Sequence, residues 1–151
     1  MLELARLCDW EAVNRISGQI TQVHAAWRPD LFRSHDCSYS REYFQEEIRE
    51  KRLYVAKAGD AVVGYTHFYI WEAGGPCIVP RKVMSITDFG VEESCQNQGF
   101  GTQMMTEIRA LARAFGCTDL ELNVYPQNDD AVAFYQKCGF TIKTIEMQRK
   151  V

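Results

Sequence analysis

The chain lacks both a long apolar run and an excess of positive charge. A transmembrane helix needs about 20 apolar residues in succession, and counterion-driven binding of nucleic acid needs a basic surface. This chain carries 17 Lys and Arg against 20 Asp and Glu, a net charge of −3, so we expect neither a membrane nor a nucleic acid as a partner. The opening MLELARLCDWE also lacks the basic leader and apolar run of a signal peptide, which predicts a cytoplasmic protein.

Paired or clustered cysteines are absent as well, although the sequence contains six. No two of them form a CxxC pair, and no His stands near any of them at zinc-ligand spacing. We expect free thiols, no disulfide and no metal site.

What is present is the composition of an ordinary globular protein. The 151 residues are 46% hydrophobic and 25% charged, which fits one domain spanning residues 1–151. Hydrophobic periodicity, turn residues and capping residues then predict the elements in order. They are a short strand near Leu2–Leu7, helices over 10–27 (capped by Asp9) and 40–48, a hairpin of strands 53–58 and 61–71, a loop over 73–80, a strand from Val83, a helix over 101–115, a strand near 120–124, a helix capped by Asn128 or Asp129, and a last strand over 140–149.

Strand 61–71 is predicted to be central, because both of its faces are fairly apolar. Alternation would place Val63, Tyr65 and His67 on one face and Val62 and Gly64 on the other. The hairpin predicts a sheet that is mostly antiparallel at first. The strands on either side of the helix 101–115 predict at least one right-handed crossover between parallel strands.

The stretch from Val83 to Phe115 passes from a strand through the glycine-bearing loop 96–101 directly into a helix. Such a loop points several backbone N–H groups outward at the positive end of the helix dipole, where a phosphate can bind. We therefore predict an anion-binding loop.

Two segments carry a resemblance to a known family. QNQGFG at 96–101 resembles the acetyl-CoA motif of the GNAT superfamily of N-acetyltransferases, and NDDAVAFYQKCGF at 128–140 resembles a second motif of that family. The resemblance implies an α/β (α+β) fold with a mixed, mostly antiparallel central sheet, about four flanking helices and a splayed strand pair at the CoA site. It also implies transfer of an acetyl group from acetyl-CoA to a primary amine by direct attack in a ternary complex.

The resemblance assigns roles residue by residue. The pyrophosphate would be held by the loop, the pantetheine arm would pair with the preceding strand and contact the second motif, and Tyr135 would be the general acid beside the departing sulfur. The implied cofactor-binding residues are Gln96, Asn97, Gln98, Gly99, Phe100, Gly101 and Thr102 in the loop, Phe89, Gly90 and Val91 in the strand, and Asn128, Ala131 and Phe134 in the second motif.

A base is needed because an amine with a pKa of ~10.4 is protonated at neutral pH, and deprotonating it costs on the order of 4–5 kcal/mol. Asp88, just before the pantetheine strand, is the leading candidate. Asn123 stands where some members of the family carry Glu, and an amide orients water but cannot act as the base. His67 is expected to be a core or pocket-wall residue, while His24, Trp27, Phe32 and Tyr39 are candidates for lining an acceptor pocket.

Two other nucleotide-binding interpretations of the glycine loop fit the sequence less well. A dinucleotide site would use Glu121 for the ribose, but Met104 occupies the third glycine position, and no Lys follows Gly101 as in a nucleotide P-loop. A catalytically silent acyl-CoA-binding or interaction module on the same fold stays open. The acceptor is expected to be a small-molecule or peptide amine, and a homodimer is plausible because the sheet is expected to leave an open edge.

Overall fold

A computed structural model describes residues 1–35 and 37–151. One five-stranded sheet in the order β1-β2-β3-β4-β5 is antiparallel except for the parallel β4–β5 pair. The strands are β1 (Leu2–Leu4), β2 (Leu53–Ala58), β3 (Ala61–Gly75), β4 (Ile78–Val91) and β5 (Asp119–Leu122), and the helices are α1 (Trp10–Trp27), α2 (Arg41–Arg49), α3 (Phe100–Ala114) and α4 (Asp129–Lys137). The predicted fold class, with its mixed sheet and four flanking helices, is confirmed.

Most element boundaries follow their local signals. α1 ends before Pro29, and the Ser40 side chain accepts a hydrogen bond from the Tyr43 backbone N–H at the start of α2. Asp9 precedes α1 but does not cap it. Its carboxylate accepts the Arg6 backbone N–H and forms an ion pair with Lys57 instead, closing a short 3₁₀ turn.

The prediction of a loop over residues 73–80 is wrong. β3 continues to Gly75 and β4 starts at Ile78, so that Pro76 and Cys77 alone form the turn of a long hairpin. Glycines at the end of a hairpin and a proline in its turn are compatible with strand pairing up to the turn. Pro80 also lies within β4, where no β3 residue is registered opposite it.

The predicted faces of β3 are partly wrong because the strand contains a β-bulge. Ala56 pairs with Gly64 and Lys57 pairs with Val62, which leaves Val63 without a partner on β2. The extra residue reverses the alternation before Gly64, and Val62 accordingly joins the same core cluster as Tyr65. The central position of β3, between β2 and β4, is confirmed.

The core has one layer on each face of the sheet. On one face, α1 and α2 contribute Val13, Ile16 and Phe44 to a cluster that includes Tyr65. On the other face, α3 packs Met105 and Ile108 against Phe68, Met84 and Ile86, with α4 at the margin. Consecutive residues of β4 therefore face different helices, α1 and α2 on one side of the sheet and α3 and α4 on the other.

The last strand predicted over 140–149 is wrong, because residues 140–151 pair with no strand. Its apolar residues change face between Ile142 and Ile145, so no single apolar side exists to bury on the sheet. Both side chains are exposed. The segment is held by polar contacts instead: Lys143 to Glu121 and Arg28 to Gln148.

Among residues 1–35 and 37–151, no helix combines the length and apolar character needed to cross a membrane.

Candidate active site

The loop before α3 has the geometry of an anion-binding site. Asn97 has φ 59° and Gly99 has φ 89°, two left-handed residues that turn the chain sharply into the helix. Gly99 stands at the N-cap of α3 without any side-chain cap. Within the described chain, the backbone N–H groups of Asn97, Gln98 and Gly99 also donate to no protein acceptor. Unpaired donors at an uncapped helix N-terminus fit a phosphate group.

Other loop residues shape this site without occupying it. The amide side chains of Gln96 and Gln98 donate to the backbone oxygens of Val91 and Ser94, so they hold the loop rather than extend over it. Gly101 lies against α4, and a Cβ added there would meet the Phe134 ring at 3.4 Å. Phe100 packs inward beside Met104, while Thr102 is exposed at the first turn of the helix.

The strand leading to the loop has a free edge. β4 pairs with β5 from Val83 to Ile86, and the ladder then ends as the two strands diverge. The following residues, Phe89 to Val91, keep their pairing with β3 but have no partner on the β5 side. An extended ligand can bind such an edge as an added strand would.

Gly90 has a structural requirement of its own. A Cβ at this position would lie 2.5 Å from Ile20 Cδ1 and 3.0 Å from Ile16 Cγ2. The glycine therefore allows α1 to pack closely on β4. This requirement for glycine holds whether or not a ligand is bound.

The second motif starts α4 next to this edge. The Asn128 side-chain oxygen accepts the Ala131 backbone N–H at 3.1 Å, so Asn128 is the helix cap. The Phe134 ring stacks on Phe89 with centroids 5.7 Å apart. α4 is thereby fixed against both the free strand edge and the loop.

Tyr135 lies in a mostly aromatic environment. Its ring is 6.2 Å from that of Phe89, 5.3 Å from Phe134 and 5.8 Å from Phe140, centroid to centroid. Burial, with a smaller contribution from Cys138, raises the pKa of Tyr135 to about 12. The phenol is therefore a stable hydrogen-bond donor at neutral pH.

A second bulge presents Asp88 on the opposite side of β4. His67 pairs with Asp88 and Phe68 with Ile86, leaving Thr87 as the extra residue. Asp88 keeps 39% of its side chain exposed, and its Oδ2 accepts the Tyr39 hydroxyl at 2.8 Å. The strand thus carries a carboxylate on the α1 and α2 side and Phe89, with Tyr135, on the α4 side.

Behind Asp88 is a buried polar network that sequence reasoning missed. His67 is buried as predicted, but its Nε2 lies 2.7 Å from Glu47 Oε2, and its Nδ1 lies 2.6 Å from Thr87 Oγ1. Glu47 also forms an ion pair with Arg52. Glu47 and Thr87 lie 20 residues from His67 in sequence, so no local pattern links these groups.

An aromatic cluster lies near the C-terminal end of α1. The His24 ring is 5.1 Å from that of Phe32 and 5.7 Å from that of Tyr125, which follows β5. Burial lowers the pKa of His24, partly opposed by the negative charge of Asp88. The structure therefore brings His24 and Phe32 together near Asp88 and adds Tyr125.

Asn123, the other candidate, is the first residue beyond β5 and is exposed. Within the described residues it makes no hydrogen bond that orients it. In the same part of the chain, no group of three or more His, Cys, Asp or Glu side chains is arranged to hold a metal ion.

The mixed sheet thus opens between two parallel strands beside an uncapped helix N-terminus. The acetyltransferase (GNAT) family model matches residues 20–140. This chain belongs to the GNAT family of acetyltransferases.

Individual relatives agree with this assignment. The chain is 28% identical over 107 residues to YvbK, an uncharacterised N-acetyltransferase of Bacillus subtilis, covering 71% of this chain and 64% of that protein. It is 29% identical over 82 residues to glucosamine 6-phosphate N-acetyltransferase 1 of Oryza sativa subsp. japonica, covering 50% of this chain and 48% of that one. The matches thus span about half to two thirds of these curated relatives.

Among solved structures, the F44R mutant of the BH1408 protein from Bacillus halodurans is similar over the whole chain. It superimposes with a TM-score of 0.92 and 25% identity, covering 100% of this chain and 99% of that one. The predicted membership of the GNAT superfamily is confirmed by these comparisons.

Proposed function

We propose that this protein transfers an acetyl group from acetyl-CoA to a primary amine of a small molecule or peptide, by direct attack of the amine in a ternary complex. The observation that carries the proposal is the free edge of β4 leading straight into unpaired amides at the uncapped N-terminus of α3. A strand edge and an anion site in succession suit a ligand with an extended amide-bearing arm and a pyrophosphate.

The residues fit this donor in detail. Backbone amides from Asn97 to Thr102 would hold the pyrophosphate, and Gly99 and Gly101 allow close approach. The edge at Phe89–Val91 would hold the pantetheine arm, with Asn128, Ala131 and Phe134 beside it. When bound, acetyl-CoA supplies an activated acetyl thioester.

The group that accepts the amine proton and the group that donates to the sulfur lie on opposite sides of β4. Asp88, on one side, is placed to accept a proton from the incoming ammonium group, since its carboxylate is partly exposed and oriented by Tyr39. Tyr135, on the other side, donates a hydrogen bond toward the departing sulfur. Asn123 is exposed where the two strands diverge and would orient a water molecule.

The acceptor side combines one carboxylate with aromatic rings. Asp88 attracts a cationic amine, and the His24, Phe32 and Tyr125 rings offer apolar contacts. These surroundings favour an amine with apolar neighbours. A homodimer stays a prediction, supported by the position of β5 at one edge of the sheet.

The test is release of CoA thiol from acetyl-CoA with a panel of amines, together with the change in melting temperature that acetyl-CoA causes. We expect both a thermal shift and amine-dependent thiol release. A thermal shift without thiol release for any amine would favour the silent acyl-CoA-binding module instead.

The Gly101→Glu variant tests whether the loop is the phosphate site. Its carboxylate would stand at the anion site, and its Cβ must fit 3.4 Å from the Phe134 ring. We expect the thermal shift to disappear while the far-UV circular dichroism is retained. Binding that survives this substitution would rule out the loop as the phosphate site.

A further inference from the structure

The buried Glu47–His67 pair lies directly behind Asp88, the candidate base. Both side chains are 2% exposed, and their contact joins α2 to β3 beneath the bulge that presents Asp88. A buried carboxylate and imidazole are costly to desolvate, and they contribute less to stability than an apolar contact of the same size would. Their position next to a candidate base therefore calls for a functional explanation.

The hydrogen bonds of this pair are compatible with two protonation states of His67. Glu47 is also paired with Arg52, so its carboxylate accepts from Nε2–H in both states. The Thr87 hydroxyl lies 2.6 Å from Nδ1 and 3.2 Å from the His67 carbonyl oxygen. It donates to Nδ1 when the ring is neutral, and it accepts from Nδ1–H while donating to the carbonyl when the ring is charged.

The same ring nitrogen faces the candidate base. His67 Nδ1 lies 3.8 Å from Asp88 Oδ2, the oxygen that also accepts the Tyr39 hydroxyl. A movement of about 1 Å would bring Nδ1 and Oδ2 within hydrogen-bond range.

We propose that His67, held by Glu47, is a positioning residue that takes over the proton removed from the amine by Asp88. The inference rests on the proposed function. The ammonium N–H bond breaks with its electron pair left on nitrogen, and the proton forms an O–H bond on Asp88. It then passes to His67 Nδ1, giving an imidazolium paired with Glu47 and an Asp88 carboxylate that is again ionised. The imidazolium releases the proton to solvent after turnover, as the overall reaction requires.

Several other groups face the imidazole and enter any pH dependence. They are Glu47 and Tyr43 on α2, Arg52 before β2 through Glu47, Tyr39 before α2, Tyr69 on β3 itself, and Thr87 and Asp88 on β4. Tyr43 and Tyr39 both have a pKa above the ordinary value, chiefly because of burial. They stay neutral across the range in which an imidazole titrates.

His67→Gln and Glu47→Gln test the proposal, with Glu107→Gln as the matched control. Glu107 likewise joins two elements, because it accepts the Leu2 backbone N–H at 2.6 Å, but it lies on α3 away from Asp88. We expect kcat to fall about 10²-fold in the first two variants, the lower end of what a positioned proton-transfer group contributes. The limb of the kcat–pH profile that depends on His67 should disappear, whereas KM for acetyl-CoA and its thermal shift should stay as in the wild type.

Loss of melting temperature with an unchanged kcat–pH profile would overturn the inference, because a purely structural contact predicts that result. In that case the proposed function would stand. If the wild type itself releases no thiol, the proposed function fails first, and the inference about His67 fails with it.

A second readout does not depend on activity or on the folding of the His67 variant. The ¹⁵N signals of the His67 imidazole can be followed with pH in the wild type and in Asp88→Asn. Because His67 Nδ1 lies 3.8 Å from Asp88 Oδ2, we expect the pH response of the His67 signals to differ between the two proteins. Identical titrations would show that the two groups do not share a proton, which also overturns the inference.

Discussion

Replacing Tyr135 by Phe removes one hydroxyl group from the centre of the proposed site. The ring would keep its contacts with Phe89, Phe134 and Phe140, whose centroids lie 5.3–6.2 Å away. We therefore expect the melting temperature and the affinity for acetyl-CoA to change little. The effect should fall on kcat.

The size of the effect follows from the pKa of the phenol. Tyr135 has a pKa of about 12, whereas a free thiol has about 8.5. Complete proton transfer to the thiolate is then uphill by about 3.5 units, or roughly 5 kcal/mol. Tyr135 should act mainly by donating a hydrogen bond to the developing negative charge. Loss of one preorganised donor lowers kcat by about 10²- to 10³-fold.

The assay is steady-state thiol release at saturating acetyl-CoA, measured from pH 7 to pH 11 for wild type and Tyr135→Phe. Because the pKa of Tyr135 is about 12, the wild type should show no alkaline loss of kcat that is due to this residue below about pH 11. Two results would refute the reasoning: a kcat that is unchanged in the variant, or a wild-type decline near pH 10 that Tyr135→Phe abolishes.

Two further predictions concern stability. Gly90→Ala should lower the free energy of unfolding by about 1–3 kcal/mol, because its Cβ would lie 2.5 Å from Ile20 Cδ1. Gly74→Ala is the control, because no atom lies within 4 Å of a Cβ added there. Equal urea midpoints for the two variants would contradict the packing argument. The raised pKa of Tyr135 contributes stability that is complete below pH 10 and is lost as the pH rises toward about 12, by roughly 2–3 kcal/mol. Tyr135→Phe should therefore show a shallower alkaline loss of stability than the wild type, and parallel curves would argue against a buried phenol.

Local patterns in the sequence predicted the elements whose signals lie within a few residues. Ser40 and Asn128 cap α2 and α4 as expected, and Gly116, with φ 73°, stands just beyond the end of α3. The order of strand, glycine loop and helix is also as expected, whereas the anion site at this loop stays a prediction. Such features depend on backbone hydrogen bonds and dihedral angles of neighbouring residues.

Predictions failed where pairing with a distant strand decided the outcome. Residues 73–75 and 78–80 became strand because β3 and β4 extend each other's ladder up to a two-residue turn. Residues 140–149 did not, because they have no single apolar face to place on the sheet. The bulge at Val63 likewise depends on the register with β2, which the sequence of β3 does not reveal.

By itself, the sequence determined the family and predicted the donor side of the proposed site, because the loop from Gln96 to Thr102 and the segment from Asn128 to Phe140 are continuous stretches whose chemistry is local. The proposed acceptor side depends on the tertiary structure. The bulge at Thr87 sets Asp88 against Tyr39 and His67, and His67 against Glu47, and these contacts join α2, β3 and β4 across 20 to 49 residues of sequence. Side chains so far apart in the chain meet only when the sheet register and the packing of α2 on it are fixed.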